Sequence, residues 1–182
     1  MKRWIVTIAI ALLAAAGQVV IAQTVLPQGS EIGYVSRQLG VPVEGRFTAW
    51  KADIAFDPKN PAAGRIAFTI DTGSARFGNA ETDGEVRKSA WFDVAKFPQA
   101  SFQSSAIKAT QPGRFEVTGK LTIKGQSRDV VVPVALDGAV ASGSFTIKRL
   151  EFRIGDGEWA DTSMVANDVL VKFKLQLAGL GR

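Results

Sequence analysis

Hydrophobic and polar positions alternate along most of this chain in short runs divided by turn residues. In RIAFTI, Ile66, Phe68 and Ile70 share one face, with Arg65, Ala67 and Thr69 on the other. In RFEVTGKLTIKG, Phe115, Val117, Leu121 and Ile123 alternate with Arg114, Glu116, Thr118, Lys120, Thr122 and Lys124. GSFTIKR sets Phe145 and Ile147 against Ser144, Thr146 and Lys148. DVLVKFKLQL sets Val169, Val171, Phe173, Leu175 and Leu177 against Leu170, Lys172, Lys174 and Gln176. A period of two is the mark of a β-strand, and one dry face with one wet face is the habit of antiparallel sheets. SRDVVVPVAL differs, because Val130, Val132, Val134 and Leu136 form one face and Val131, Pro133 and Ala135 an equally apolar other. Pro133 has no N–H to donate, which predicts a sheet edge or a bulge there.

Turn chemistry punctuates these runs at Pro112-Gly113, Lys124-Gly125, Asp137-Gly138 and Ser142-Gly143, with a longer loop from Asp57 to Gly64. The spacing predicts eight strands, near 29–37, 41–55, 63–71, 99–108, 113–124, 128–137, 139–152 and 166–178. That is an all-β chain of the sandwich or barrel kind. One stretch breaks the pattern. Thr82-Asp83-Gly84-Glu85 has capping-box spacing. Acids at its start and Arg87 and Lys88 at its end suit the helix dipole. A short helix over about 83–90 is predicted, followed by the aromatic-rich AWFDVAKFP.

The N-terminus reads differently. Lys2 and Arg3 precede an apolar run from Trp4, and Val20-Ile21-Ala22 offers a cleavage site before Gln23. This is the layout of a signal peptide over residues 1–22, which predicts export to the periplasm and a mature domain of residues 23–182. A membrane anchor is the rival reading of the same run. No later run approaches spanning length, so no stable membrane insertion is expected after cleavage. The net charge of +5 falls to +3 without Lys2 and Arg3. The basic residues are spread through the strands, with none of the clustering that nucleic acid requires. The chain has no Cys and no His. That excludes a disulfide framework, Cys/His zinc sites, thiol nucleophiles and Ser-His-Asp triads. No cofactor is expected.

Four segments in order carry a resemblance: GVPVEGRFTAWKADIAFDP, RKSAWFDVAKFPQASFQSS, GRFEVTGKLTIKGQSRDVVVPV and FTIKRLEFRIGDGEWADTSMVANDVLVKFKL. Together the chain resembles the YceI-like family of secreted, polyisoprenoid-binding proteins. The resemblance implies an eight-stranded antiparallel, lipocalin-like barrel with one short helix packed beside it. It also implies a long isoprenoid or fatty chain in the lumen. Many members of that family carry histidine in the first strand and in the turn that reads Lys124-Gly125-Gln126 here. This chain has Arg37 or Gln38 near the first place and Lys124 at the second.

Candidate ligand-binding residues follow from the dry faces: Ile66, Phe68 and Ile70; Phe102; Phe115, Val117 and Leu121; Val130, Val132 and Val134; Phe145 and Ile147; Val171 and Phe173. Trp91, Phe92 and Phe97 would screen one barrel end. Patterning alone leaves a filled lumen and a lined cavity both open, since each wants apolar residues. Asp156, Glu158 and Asp161 form an acidic loop that reads as a solvated turn, with Arg149 and Arg153 as candidate partners. An acid/base pair there is the alternative. The expected function is non-catalytic binding or carrying of a long-chain amphiphilic lipid in the periplasm. The alternatives are an interaction module with a filled barrel and, behind it, a carboxylate-dependent hydrolase. Whether the chain forms a homodimer is left open.

Overall fold

Ten strands follow the alternation closely in the computed structural model, which describes residues 22–180. The predicted signal peptide lies, apart from Ala22, outside the described residues. The strands are β1 (Ala22–Gln38), β2 (Val41–Phe47), β3 (Trp50–Ala55), β4 (Arg65–Asp71), β5 (Ala75–Arg76), β6 (Gln99–Gln111), β7 (Arg114–Ile123), β8 (Gln126–Asp137), β9 (Val140–Lys148) and β10 (Asp168–Ala178). The one α-helix among the described residues, α1, spans Ala80–Glu85. No described helix is long and apolar enough to cross a membrane.

Pairing is antiparallel throughout, in the order β10-β9-β8-β7-β6-β4-β3-β1, and β1 then pairs with β10. The ring therefore closes with eight strands. β2 pairs with the second half of β1 and β3 with its first two residues, so β2 and β3 form one strand interrupted near Thr48-Ala49. β5 likewise continues β4 past a 3₁₀ turn at Thr72–Ser74. The first strand starts at Ala22 rather than near residue 29. A register shift between Leu26 and Glu31 bends it, with Gly29 at φ +84°. Such a bulge lets one strand serve two neighbours around a barrel. Pro133 pairs with Glu116 of β7, but the β8–β9 ladder runs only from Asp137 to Ala135. The hydrogen-bonded seam stops two residues short of the proline, in keeping with its missing donor.

The helix departs from expectation. Asn79 is its cap: its side-chain oxygen accepts from the N–H groups of Glu81 and Thr82 at 2.9 and 3.3 Å. The capping box at Thr82 does not form, and the Asp83 carboxylate accepts from Phe77 N at 2.6 Å instead. The helix begins three residues earlier than 83 and ends at Glu85, because Asn79 is the stronger cap. Residues 86–97 run as turns.

The core falls into layers along the barrel axis. At the end with the β6–β7 and β8–β9 turns, Ile54, Phe56, Ile107, Phe115, Val132, Leu175 and Leu177 are packed together. Ala100, Leu121, Ile123, Ile147, Phe152 and Ile154 form a second layer. Tyr34, Ala75 and Val86 form a third, where α1 meets the barrel, with Phe47, Phe77, Trp91 and Phe92 around them.

Candidate functional site

Because strand side chains alternate, each ring strand sends every second residue inward. These side chains do not fill the lumen. They surround a cavity of about 580 Å³. Ile66, Phe68 and Ile70 line it from β4, Phe102 from β6, and Phe115, Val117 and Leu121 from β7. Val132 and Val134 of β8, Phe145 and Ile147 of β9, and Val171 and Phe173 of β10 complete that set. Trp91 and Phe92 line it as well, from the turns after α1. Two expected lining residues do not. Phe97 packs its ring over the β7–β8 turn, about 3.1 Å from where a Cβ on Gly125 would stand, and its carbonyl accepts from the Thr72 hydroxyl. Val130 packs into both larger core layers without reaching the lumen. Period two puts it on the correct face, but it pairs across from Gly119, where the ring of Phe102 lies over the missing side chain.

The polar part of the lining is confined to one end. Tyr34, Ser36 and Gln38 come from the C-terminal half of β1, and Glu81, Thr82 and Glu85 from α1. Gln38 and Glu81 are exposed, so the cavity reaches solvent between the β1–β2 hairpin and α1. Trp159 and Val165 close the third side of this mouth. Sequence reasoning missed these residues. The alternation in EIGYVSRQ, with Ile32, Tyr34, Ser36 and Gln38 on one face, is the signal that could have found them. Tyr34 stacks obliquely on Phe47 and Phe77, each with ring centroids 5.1 Å away, and donates its hydroxyl to Arg76 O at 3.4 Å. Burial first, and the nearby Asp83 carboxylate second, push this hydroxyl above the usual phenol range.

Two buried cations hold the mouth loops. Arg149 is 1% exposed, and its hydrogen bonds go to carbonyls rather than carboxylates. Its Nε donates to Ala166 O, Nη1 to Ile154 O and Gly155 O, and Nη2 to Trp159 O and Val165 O, at 2.6–3.0 Å. A guanidinium has five N–H donors, and all five are used. Desolvation lowers its pKa, and Trp91 lies 5.9 Å from it, ring face towards the charge. Lys124, where the resembling family often has histidine, lies outside the cavity lining. Its amine donates to Ser89 O and Arg153 O at 2.7 Å each and sits 3.6 Å from an Asp156 oxygen. The expected pairing of Arg149 with the acidic loop is thus corrected. Asp156 pairs with Lys124, and Arg149 takes carbonyls, which can surround a planar fork more closely than a single acid can.

The acids of that loop do not converge on a pocket. Asp156, Glu158 and Asp161 are all exposed and none lines the cavity. Asp161 accepts from Ser163 N and Oγ, which lowers its pKa. Among the described residues no group of three or more His, Cys, Asp or Glu could hold a metal ion.

This geometry has close relatives. A crystal structure of BcnA from Burkholderia cenocepacia is 42% identical, with a TM-score of 0.80 over 86% of this chain and 100% of that one. A UPF0312 protein of Pseudomonas savastanoi pv. phaseolicola is 32% identical over 130 residues, which are 69% of this chain and 68% of the relative. A polyisoprenoid binding domain from Saccharophagus degradans, implicated in plant cell wall breakdown, shares the fold at 17% identity, with a TM-score of 0.63 over 86% of this chain and 98% of the other. The model of the YceI-like domain matches residues 23–177. With that match taking in every strand of the ring and the cavity inside it, this chain belongs to the YceI-like family.

Proposed function

We propose that this protein is a non-catalytic binder of a lipid with one long apolar chain, an isoprenoid or a fatty chain, and that it works in the periplasm. The observation that carries the reading is the division of the lumen. An apolar cavity of about 580 Å³ has its polar side chains gathered at a single mouth. That volume falls within the range of about 300–1,000 Å³ typical of small-molecule sites. A lipid tail suits the dry part, where each buried methylene contributes about 0.8 kcal/mol. A polar head suits the mouth, beside Ser36, Gln38 and Thr82. The fold shared with the Saccharophagus degradans domain supports the same reading. The cavity weighs against a filled interaction module, and the scattered acids weigh against a carboxylate-dependent hydrolase.

Extraction of the purified protein followed by mass spectrometry tests the proposal. A long-chain isoprenoid or fatty lipid near one equivalent is expected. Protein that yields no lipid and takes up no apolar fluorophore would overturn it. The periplasmic part rests on the Lys2-Arg3 start, the apolar run and the Val20-Ile21-Ala22 site. Cleavage there keeps Gln23, which is buried and accepts from Phe56 N through its side-chain oxygen at 2.7 Å. Intact mass of the exported protein should correspond to residues 23–182. A mass retaining residues 1–22 in the membrane fraction would favour an anchor.

A further inference from the structure

Charge is distributed unevenly around the lumen. Three charged side chains line it: Glu81 and Glu85 of α1, and Arg149. The cation among them has nothing left to offer a ligand. It is 1% exposed, and all five of its N–H groups go to backbone carbonyls. The cations near the rim are committed as well. Arg76 donates to Gly73 O and Ala75 O and lies 3.9 Å from an Asp83 oxygen. Lys88 pairs with Glu85, Lys124 stays with the carbonyls of Ser89 and Arg153, and Arg37 donates to Gly40 O.

Three polar side chains of the mouth are not committed. Glu81 is exposed, and its carboxylate has no hydrogen-bond or ion-pair partner among the described residues. The Gln38 amide and the Thr82 hydroxyl also line the mouth and are likewise without a side-chain partner among those residues. Tyr34 and Ser36 differ, since their hydroxyls donate to Arg76 O and Val43 O. The free groups are therefore a carboxylate, which only accepts, and an amide and a hydroxyl, which donate and accept. An anionic head at this mouth meets the Glu81 charge with no cation able to reach it. A hydroxyl head donates to Glu81, a bond to a charged acceptor and so of the stronger kind, and accepts from Gln38 or Thr82.

We infer that the cavity selects lipids whose head is an uncharged hydroxyl, a long-chain or isoprenoid alcohol, over the carboxylate and phosphate forms of the same chain. Glu81 is the residue that sets this preference. The inference rests on the lipid-binding reading and adds the class of head group to it.

The test titrates oleyl alcohol, oleate and oleyl phosphate, which share one tail, into the mature protein loaded with an apolar fluorophore. It is run at neutral pH, below the micelle concentration of each probe. The alcohol should displace the fluorophore at the lowest concentration. An alcohol also leaves water more readily than its acid, so the deciding quantity is the change in their affinity ratio when Glu81 is altered. Glu81→Gln should cut the preference for the alcohol over oleate about fivefold, the scale of one unit charge at contact distance in water. Glu81→Lys should cut it further. Added salt should shrink the preference in wild type and leave it level in Glu81→Gln. Gln38→Ala with Thr82→Val should weaken the alcohol more than the acid. Oleate or oleyl phosphate bound as tightly as the alcohol, or a preference that Glu81→Gln does not move, overturns the inference and leaves lipid binding standing. Failure of all three probes to displace the fluorophore overturns lipid binding by the cavity, and the head-group preference with it.

Discussion

Arg149 shows how a buried charge can organise a loop without an opposite charge. Its five N–H groups draw the carbonyls of residues 154, 155, 159, 165 and 166 towards one point, which fixes the path of the chain around the mouth. Arg149→Met should leave several of those carbonyls without a donor. At about 1–3 kcal/mol for each one that stays dry, a loss of at least about 3 kcal/mol is expected, or roughly 6–12 °C in melting temperature. Arg149→Lys should fall between, because an ammonium has three donors. Thermal unfolding followed by circular dichroism measures both. Asp156→Asn should do little, because its partner Lys124 keeps two close carbonyls. A change within about 0.5 kcal/mol and unaltered lipid retention are expected. Tyr34 offers a spectroscopic check, since it is the only tyrosine in the chain. With its folded pKa raised, the neutral hydroxyl supports the fold below about pH 10, and that support is lost as pH climbs towards the folded value. Tyrosinate absorbance should stay absent at about pH 10 in the native protein and appear there once it is denatured. Absorbance rising at that pH in the native state would mean that Tyr34 is not shielded.

At the scale of elements, most of the strands are legible in the sequence because each buries one face. Period-two runs such as RIAFTI and RFEVTG need no partner to be recognised, and the strand centres agree. The interruption at Thr48-Ala49 is not legible, since it depends on β1 being shared between β2 and β3. The helix start is ambiguous on local grounds, because Asn79 and Thr82 are both good caps. Contact of Asp83 with Phe77 N decides between them, and that is a tertiary event. The dry set on β4 and β6–β10 can be read almost entirely. Val130 is the exception because the pattern gives a face and not a depth, and depth depends on the ring of Phe102 over Gly119. The carbonyl cage of Arg149 is beyond reach, since backbone direction in a loop leaves no trace in residue identity. The lining positions support a direct experiment at this scale. Val132 is 6% exposed and borders the lumen. Val132→Trp should project into open volume, so retained lipid should fall while the melting temperature shifts by less than about 3 °C. In a filled barrel the same change is overpacking at about 1–3 kcal/mol, and a loss of several degrees with unchanged lipid would contradict a hollow lumen.

At the scale of the molecule, a closed sheet leaves no free edge for another chain to extend, and closure also decides how the wall can yield. Seven neighbouring pairs in the ring are joined over most of their shared length or by a second segment, whereas β8 and β9 meet only at Ala135↔Ser142, Leu136↔Ala141 and Asp137↔Val140. Beyond them Pro133 supplies no N–H, and Gly143 sits so close to Pro133 O that a Cβ there would approach it to 2.2 Å. From Pro133 towards the helix end, β8 and β9 therefore run side by side without ladder pairing. Amide hydrogen exchange gives this a measurable form. Amides of β8 and β9 that face each other beyond the ladder should exchange by local opening, ahead of those in β6 and β7, whose ladder runs from Ser101↔Thr122 to Gln111↔Arg114. A guest wider than the resting lumen would then be accommodated by parting these two strands rather than by unfolding the wall. One proline thus marks the line along which this wall should yield first, and exchange along β8 and β9 is its measure.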